Sequence, residues 1–73
     1  MKQEKMFGEI KWYKKNKGYG YIIGADEETY FFELINCINP NEIFTTGDIV
    51  KFIPNMGSID FATRVEKVKV GSL

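Results

Sequence analysis

An all-β fold, five short strands curling into one small closed sheet, is what this chain predicts. Three observations carry that prediction. Ile, Val, Tyr and Phe gather in short runs bounded by Gly, Asn, Asp and Pro. No stretch of about ten residues repeats apolar positions at i, i+3, i+4, i+7, the spacing of a helix face. Finally, 73 residues with a single cysteine bury only about 60 % of their unfolded surface and have no internal disulfide to compensate. A closed sheet around an aromatic-aliphatic core meets that constraint.

The elements follow in order. The first strand covers about residues 6–13 and ends at the polar Lys14-Lys15-Asn16-Lys17-Gly18 turn. The second covers about 19–23, and Asp26-Glu27-Glu28 makes the next turn. The third covers about 29–34. A longer connection over 35–47 contains the Asn39-Pro40-Asn41 breaker and room for one short helical turn. The fourth strand covers about 49–53, Pro54-Asn55-Met56-Gly57-Ser58 turns the chain, and the fifth covers about 59–68. The whole of 1–73 reads as one domain with its core in about 6–68, without repeats or low-complexity tracts.

Alternation assigns faces, because successive strand side chains point to opposite sides. Glu9 and Lys11 want water, so Ile10 points inward. Trp12 then breaks the pattern, which calls for a bend or bulge. Ile22 is the inward residue of strand two, leaving Tyr19 and Tyr21 outside. Glu33 takes Phe31 and Thr29 outward and leaves Tyr30, Phe32 and Leu34 inside. Val50, Phe52 and Val65 complete the inward set, with Phe44 of the long connection as a core plug. If strands one to three form a meander, Trp12, Tyr19, Tyr21 and Phe31 share one solvent face, flanked by Lys11 and Lys17. Aromatics among lysines can stack nucleobases while ammonium groups meet phosphates.

Charge points the same way without deciding the matter. The chain is neutral overall, with ten basic and ten acidic residues. Residues 1–20 nevertheless hold six lysines against two glutamates, net +4, whereas residues 21–60 are net −6. Catalysis is not expected. There is no histidine, which removes the Ser-His and Cys-His pairs, the usual proton shuttle and most zinc sites. Asp26-Glu27-Glu28 reads as a solvated turn rather than a metal site, Cys37 as a passive thiol, and no cofactor motif is present. No run approaches the ~18 apolar residues of a membrane span. Met1-Lys2-Gln3-Glu4-Lys5 has no apolar run behind it, so a signal peptide is not expected and a cytoplasmic location is.

The motifs carry a resemblance. Lys17-Gly18-Tyr19-Gly20-Tyr21-Ile22 looks like the ribonucleoprotein motif of aromatic-faced RNA-binding sheets. Preceded by Gly8-Glu9-Ile10-Lys11-Trp12-Tyr13, it resembles the opening of the cold-shock domain, Gly-x-Val-Lys-Trp-Phe running into Lys-Gly-Phe-Gly-Phe-Ile. Thr29-Tyr30-Phe31-Phe32-Glu33-Leu34, Thr46-Gly47-Asp48-Ile49-Val50-Lys51-Phe52 and Ala62-Thr63-Arg64-Val65 fall in the family's order, so the resemblance covers about residues 6–68. It implies a five-stranded antiparallel OB-type barrel that binds single-stranded RNA or DNA. By the same resemblance, Trp12, Tyr19, Tyr21 and Phe31 stack bases with Tyr13 beside them, and Lys11 and Lys17 supply the basic contacts. Low-specificity stacking of this kind suits an RNA chaperone. The resemblance also has departures. Glu33 stands where the family has a stacking His, Leu34 where it has an aromatic, and the loop after strand three lacks a clear counterpart of the family's loop Phe. Losing two platforms at ~1 kcal/mol each weakens binding about 30-fold, so a weak binder is expected. The alternative from another class is a protein–protein module that uses the same aromatic face. The expected state is a monomer, with the 35–47 connection as a hinge for strand exchange between two chains.

Overall fold

In a computed structural model, residues 4–68 are described. They form strands β1 (Met6–Lys14), β2 (Tyr19–Gly24), β3 (Thr29–Glu33), β4 (Ile49–Asn55) and β5 (Phe61–Lys67), with one 3-10 turn at Leu34–Asn36. The strands close into a barrel in the order β1-β2-β3-β5-β4, an OB-like arrangement. Four of the five seams are antiparallel, and the fifth, β3 with β5, is parallel. The expected five-stranded antiparallel OB-type barrel is what forms, and its one parallel seam follows from parity. An odd number of strands closed into a ring cannot alternate direction at every seam, so one pair must run parallel.

The alternation reading of the core holds. Ile10, Ile22, Tyr30, Phe32, Val50, Phe52 and Val65 are buried, and Phe44 of the long connection is buried among them. β1 and β2 each run one residue farther than expected, to Lys14 and Gly24, and three other boundaries shift. Leu34 is half-buried and opens the 3-10 turn instead of ending β3. Its N–H donates to the Gly18 carbonyl at 2.9 Å, which pulls it out of the ladder toward the β1–β2 turn. β4 continues through Pro54 to Asn55. β5 begins at Phe61, leaving Ile59 outside the ladder and exposed.

β5 also reverses its own alternation. Between β4 and β5 the register passes from Lys51↔Glu66 to Ile53↔Thr63, so β5 carries one extra residue there. Arg64 absorbs it in the left-handed region, with φ 51°. Ala62 and Val65, three positions apart, therefore both face the core, and Phe61 and Arg64 face outward.

One buried group reaches a charge. The Tyr30 side chain is fully buried, and its hydroxyl donates to Asp26 Oδ2 at 2.6 Å. Asp26 Oδ1 accepts the Glu28 N–H at 3.1 Å, so the acidic turn is fastened to the core through one carboxylate. The Tyr30 hydrogen bond holds the Asp26 carboxyl below its usual range. Burial, reinforced by Asp26, pushes the Tyr30 phenol well above the ordinary 10.0.

The signs fix a pH dependence. The Tyr30 contribution is complete below about pH 10 and is lost as pH rises beyond it. Cys37, raised from 9.0 to about 11 chiefly by burial, fades in the same direction. The Asp26 contribution is present above about pH 4 and is lost as pH falls below it. Tyr30→Phe should lower neutral-pH stability by about 1 kcal/mol and flatten the alkaline limb of urea midpoint against pH. An alkaline limb identical to that of the parent chain would refute the assignment to Tyr30.

Candidate functional site

The aromatic face is made by a bulge. Along β1 and β2 the register passes from Ile10↔Ile22 directly to Trp12↔Tyr21, so Lys11 is the extra residue on β1. Ile10 and Trp12 have the same parity in sequence, yet Ile10 is buried and Trp12 stands half-exposed on the outside. Gly20 permits this. A Cβ there would lie 2.4 Å from the Trp12 carbonyl oxygen, 3.0 Å from Tyr13 Cα and 3.2 Å from the Phe32 ring. The close approach of the bulged β1 backbone thus requires glycine on β2.

Four rings meet on the outer face. Trp12 lies 5.0 Å from Tyr21 and 5.8 Å from Tyr19, centroid to centroid, and Phe31 lies 5.6 Å from Tyr21 and 5.9 Å from Tyr19. These edge and tilted contacts close a quadrilateral across β1, β2 and β3, at separations where aromatic pairs attract. Each ring is half-buried, because its neighbours cover its flanks. A four-ring surface of this kind suits a binding face.

The structure places the other expected residues as follows. Lys11, at the bulge, and Lys17, in the turn between β1 and β2, are both exposed. Lys14 and Lys15 join them at that end, where the turn is closed by Gly18 donating to the Lys14 carbonyl at 2.8 Å with Gly18 at φ 72°. Among the described residues none of these four lysines is ion-paired. The pairs that form are Lys5 with Glu66 and Lys67 with Glu42 and Asp48. Tyr13 is not brought to the four-ring face. Beyond the bulge it turns inward, stacks on Phe32 at 5.8 Å and meets Phe44 edge-on at 5.4 Å. Burial raises its phenol above the ordinary value.

Sequence alternation missed one aromatic, Phe61. It sits opposite Phe31 at the parallel seam and is 39 % exposed. A groove of about 540 Å³ runs beside it, lined by Phe31, Glu33, Asn36, Gly57, Ser58, Ile59 and Phe61. Simple alternation back from Val65 puts residue 61 inside, and nothing in the sequence marks Arg64 as the left-handed residue that reverses it. Glu33 is exposed and pairs in register with Tyr19, so its carboxylate borders both rings and groove.

Among the described residues no group of three His, Cys, Asp or Glu is placed to hold a metal ion. The half-buried Cys37 thiol is held protonated at neutral pH by burial. No family model matches this chain, and no curated protein matches it either.

The bulge argument predicts a contrast between two glycines. Gly20→Ala should cost roughly 1–3 kcal/mol of stability and shift native Trp12 emission, because β1 must back away from β2. Gly57→Ala, where an added Cβ meets nothing within 4 Å, should leave both unchanged. Equal urea midpoints for the two variants would contradict the close approach.

Proposed function

We propose that this barrel binds single-stranded RNA or DNA by stacking bases on Trp12, Tyr19, Tyr21 and Phe31, with Lys11, Lys14, Lys15 and Lys17 meeting the phosphates. The observation that carries the reading is the four-ring quadrilateral itself, on the outside of an OB-like barrel whose exposed Lys11, Lys14, Lys15 and Lys17 make no ion pair among the described residues. Any base has a π face, so such a platform accepts sequence broadly, and ammonium groups supply the salt-dependent remainder. The order of motifs that resembles the cold-shock domain supports the same reading. The function is then that of a cytoplasmic, monomeric binder that holds unpaired strands open, with no cofactor and no catalytic step.

Glu33 limits the affinity. Its carboxylate stands beside Tyr19, where a phosphate track would pass. The half-buried Tyr13 packs against Phe32 and makes no ring contact with the other four, so four rings rather than five form this cluster. Both features favour weak, short-range engagement.

A titration with oligo-dT tests the reading. Trp12 fluorescence should be quenched, and 0.5 M salt should largely restore it. The slope of log K against log salt should be about −2 to −3, as for three or four phosphates on a single strand. Tyr21→Ala and Phe31→Ala should each weaken binding about tenfold while keeping the barrel's circular dichroism. Quenching that follows protein concentration rather than oligonucleotide would overturn the reading in favour of self-association through the same rings.

A further inference from the structure

The groove at the parallel seam differs in chemistry from the ring platform. Its long walls are apolar, formed by Phe31, Phe61 and the 69 %-exposed Ile59. Its volume, about 540 Å³, lies within the range of small-ligand clefts, roughly 300–1,000 Å³. Phe31 belongs both to this groove and to the four-ring quadrilateral, so a strand lying on the rings reaches the groove without a break.

Polar groups occupy one part of the lining. Glu33 brings a carboxylate that makes no ion pair among the described residues. The Glu33 N–H donates to Asn36 Oδ1 at 3.0 Å, and the Glu33 side chain in turn faces the Asn36 backbone N–H, a reciprocal capping box that fixes the carboxylate and leaves its other lone pairs open to the groove. With Oδ1 engaged, Asn36 has its NH2 group left to donate, and Ser58 brings a hydroxyl.

Resting on the nucleic-acid reading, we propose that this groove is a base pocket selective for guanine in a single strand. A carboxylate is an acceptor only, with two oxygens side by side. Guanine alone among the common bases presents two adjacent donors on its Watson–Crick edge, N1–H and the N2 amino group. Both can be received at once by Glu33. Uracil and thymine present one N–H between two carbonyl oxygens, which face the carboxylate unfavourably. Adenine and cytosine present one amino group beside a ring acceptor. The Asn36 amide and the Ser58 hydroxyl carry donors of the kind guanine O6 accepts, and Phe31 and Phe61 offer faces for the ring. The pocket therefore adds one selective position to an otherwise unselective platform, and the residue that weakens phosphate binding gains a use.

The experiment compares Trp12 quenching by four single-stranded heptamers: all-thymidine, and the same strand with guanine, adenine or inosine at the central position. A single guanine avoids quadruplex formation. The guanine strand should bind about tenfold tighter than all-thymidine, a contribution typical of one bidentate base contact. The inosine strand, which lacks the N2 amino group, should lose most of that gain. Glu33→Gln should retain or tighten binding of the all-thymidine strand while erasing the guanine preference. Phe61→Ala should reduce the preference and spare all-thymidine binding. Equal affinities for guanine and thymidine strands, or a preference that survives Glu33→Gln, would overturn the pocket while leaving the ring platform standing. If no heptamer quenches Trp12, the nucleic-acid reading falls and the pocket with it.

Discussion

The outer face of this barrel depends on one close approach. The bulged backbone of β1 presses against β2 so tightly that the Trp12 carbonyl oxygen occupies the space of a side chain at position 20. The extra residue at Lys11 exchanges the two faces of β1 within one step. Before the bulge, Ile10 feeds the core. After it, the half-buried Tyr13 packs against Phe32 and Phe44, and Trp12 is delivered to the outside against Tyr19 and Tyr21. Without the bulge, strict alternation would put Trp12 inside and Tyr13 in water. The glycine and the bulge are thus one device that serves packing and surface together.

Charge is arranged around that device by pairing rather than by excess. Equal numbers of acids and bases leave no long-range field of one sign. The selection is local. Lys5 is neutralised by Glu66 at 2.8 Å, and Lys67 lies 3.4 Å from Asp48 and 3.9 Å from Glu42. The Lys5 hydrogen bond holds the Glu66 carboxyl below its usual range. Burial of Asp48 is outweighed by the Thr45 N–H and by Lys67, so its carboxyl is also lowered. The lysines of the bulge and of the β1–β2 turn, near Trp12 and Tyr19 in sequence, remain unpaired among the described residues. A chain with no net charge can in this way keep a basic margin on one edge of an aromatic surface.

The same physics decides what was legible in the sequence. Alternation is reliable where the ladder is regular, so Ile22, Tyr30, Phe32, Val50 and Phe52 read correctly as core, and Tyr19, Tyr21 and Phe31 as surface. It fails wherever one strand gains a residue. Trp12 announced its bulge because Ile10 and Lys11 before it had already fixed the phase. Phe61 gave no such warning, since Ala62 and Thr63 are compatible with either face, and the reversal lies in the backbone of Arg64. Leu34 reads as a strand residue by composition, but its N–H is claimed by Gly18, a partner sixteen residues earlier that no local pattern reveals. Tyr13 is expected on the binding face by resemblance, whereas it packs against Phe32 and Phe44, which also meet each other.

Closure explains why the groove lies where it does. A five-stranded ring must contain a parallel seam, and here that seam is short. β3 and β5 share the single pair Phe31↔Phe61, with Phe31 N–H donating to Asp60 O at 3.1 Å. Farther along, Cys37 bridges Val65, and Ile38 N–H reaches the Val65 carbonyl at 2.9 Å. Between these two fastenings the chain turns through Leu34–Asn36 instead of pairing. An antiparallel seam would run its ladder straight through, as β2 and β3 do. The parallel one leaves a gap that side chains of β3, the 3-10 turn and the β4–β5 connection line without filling. The parity that forbids perfect alternation in a ring of five thus also opens the cleft beside Phe31, next to the rings that the bulge turns outward.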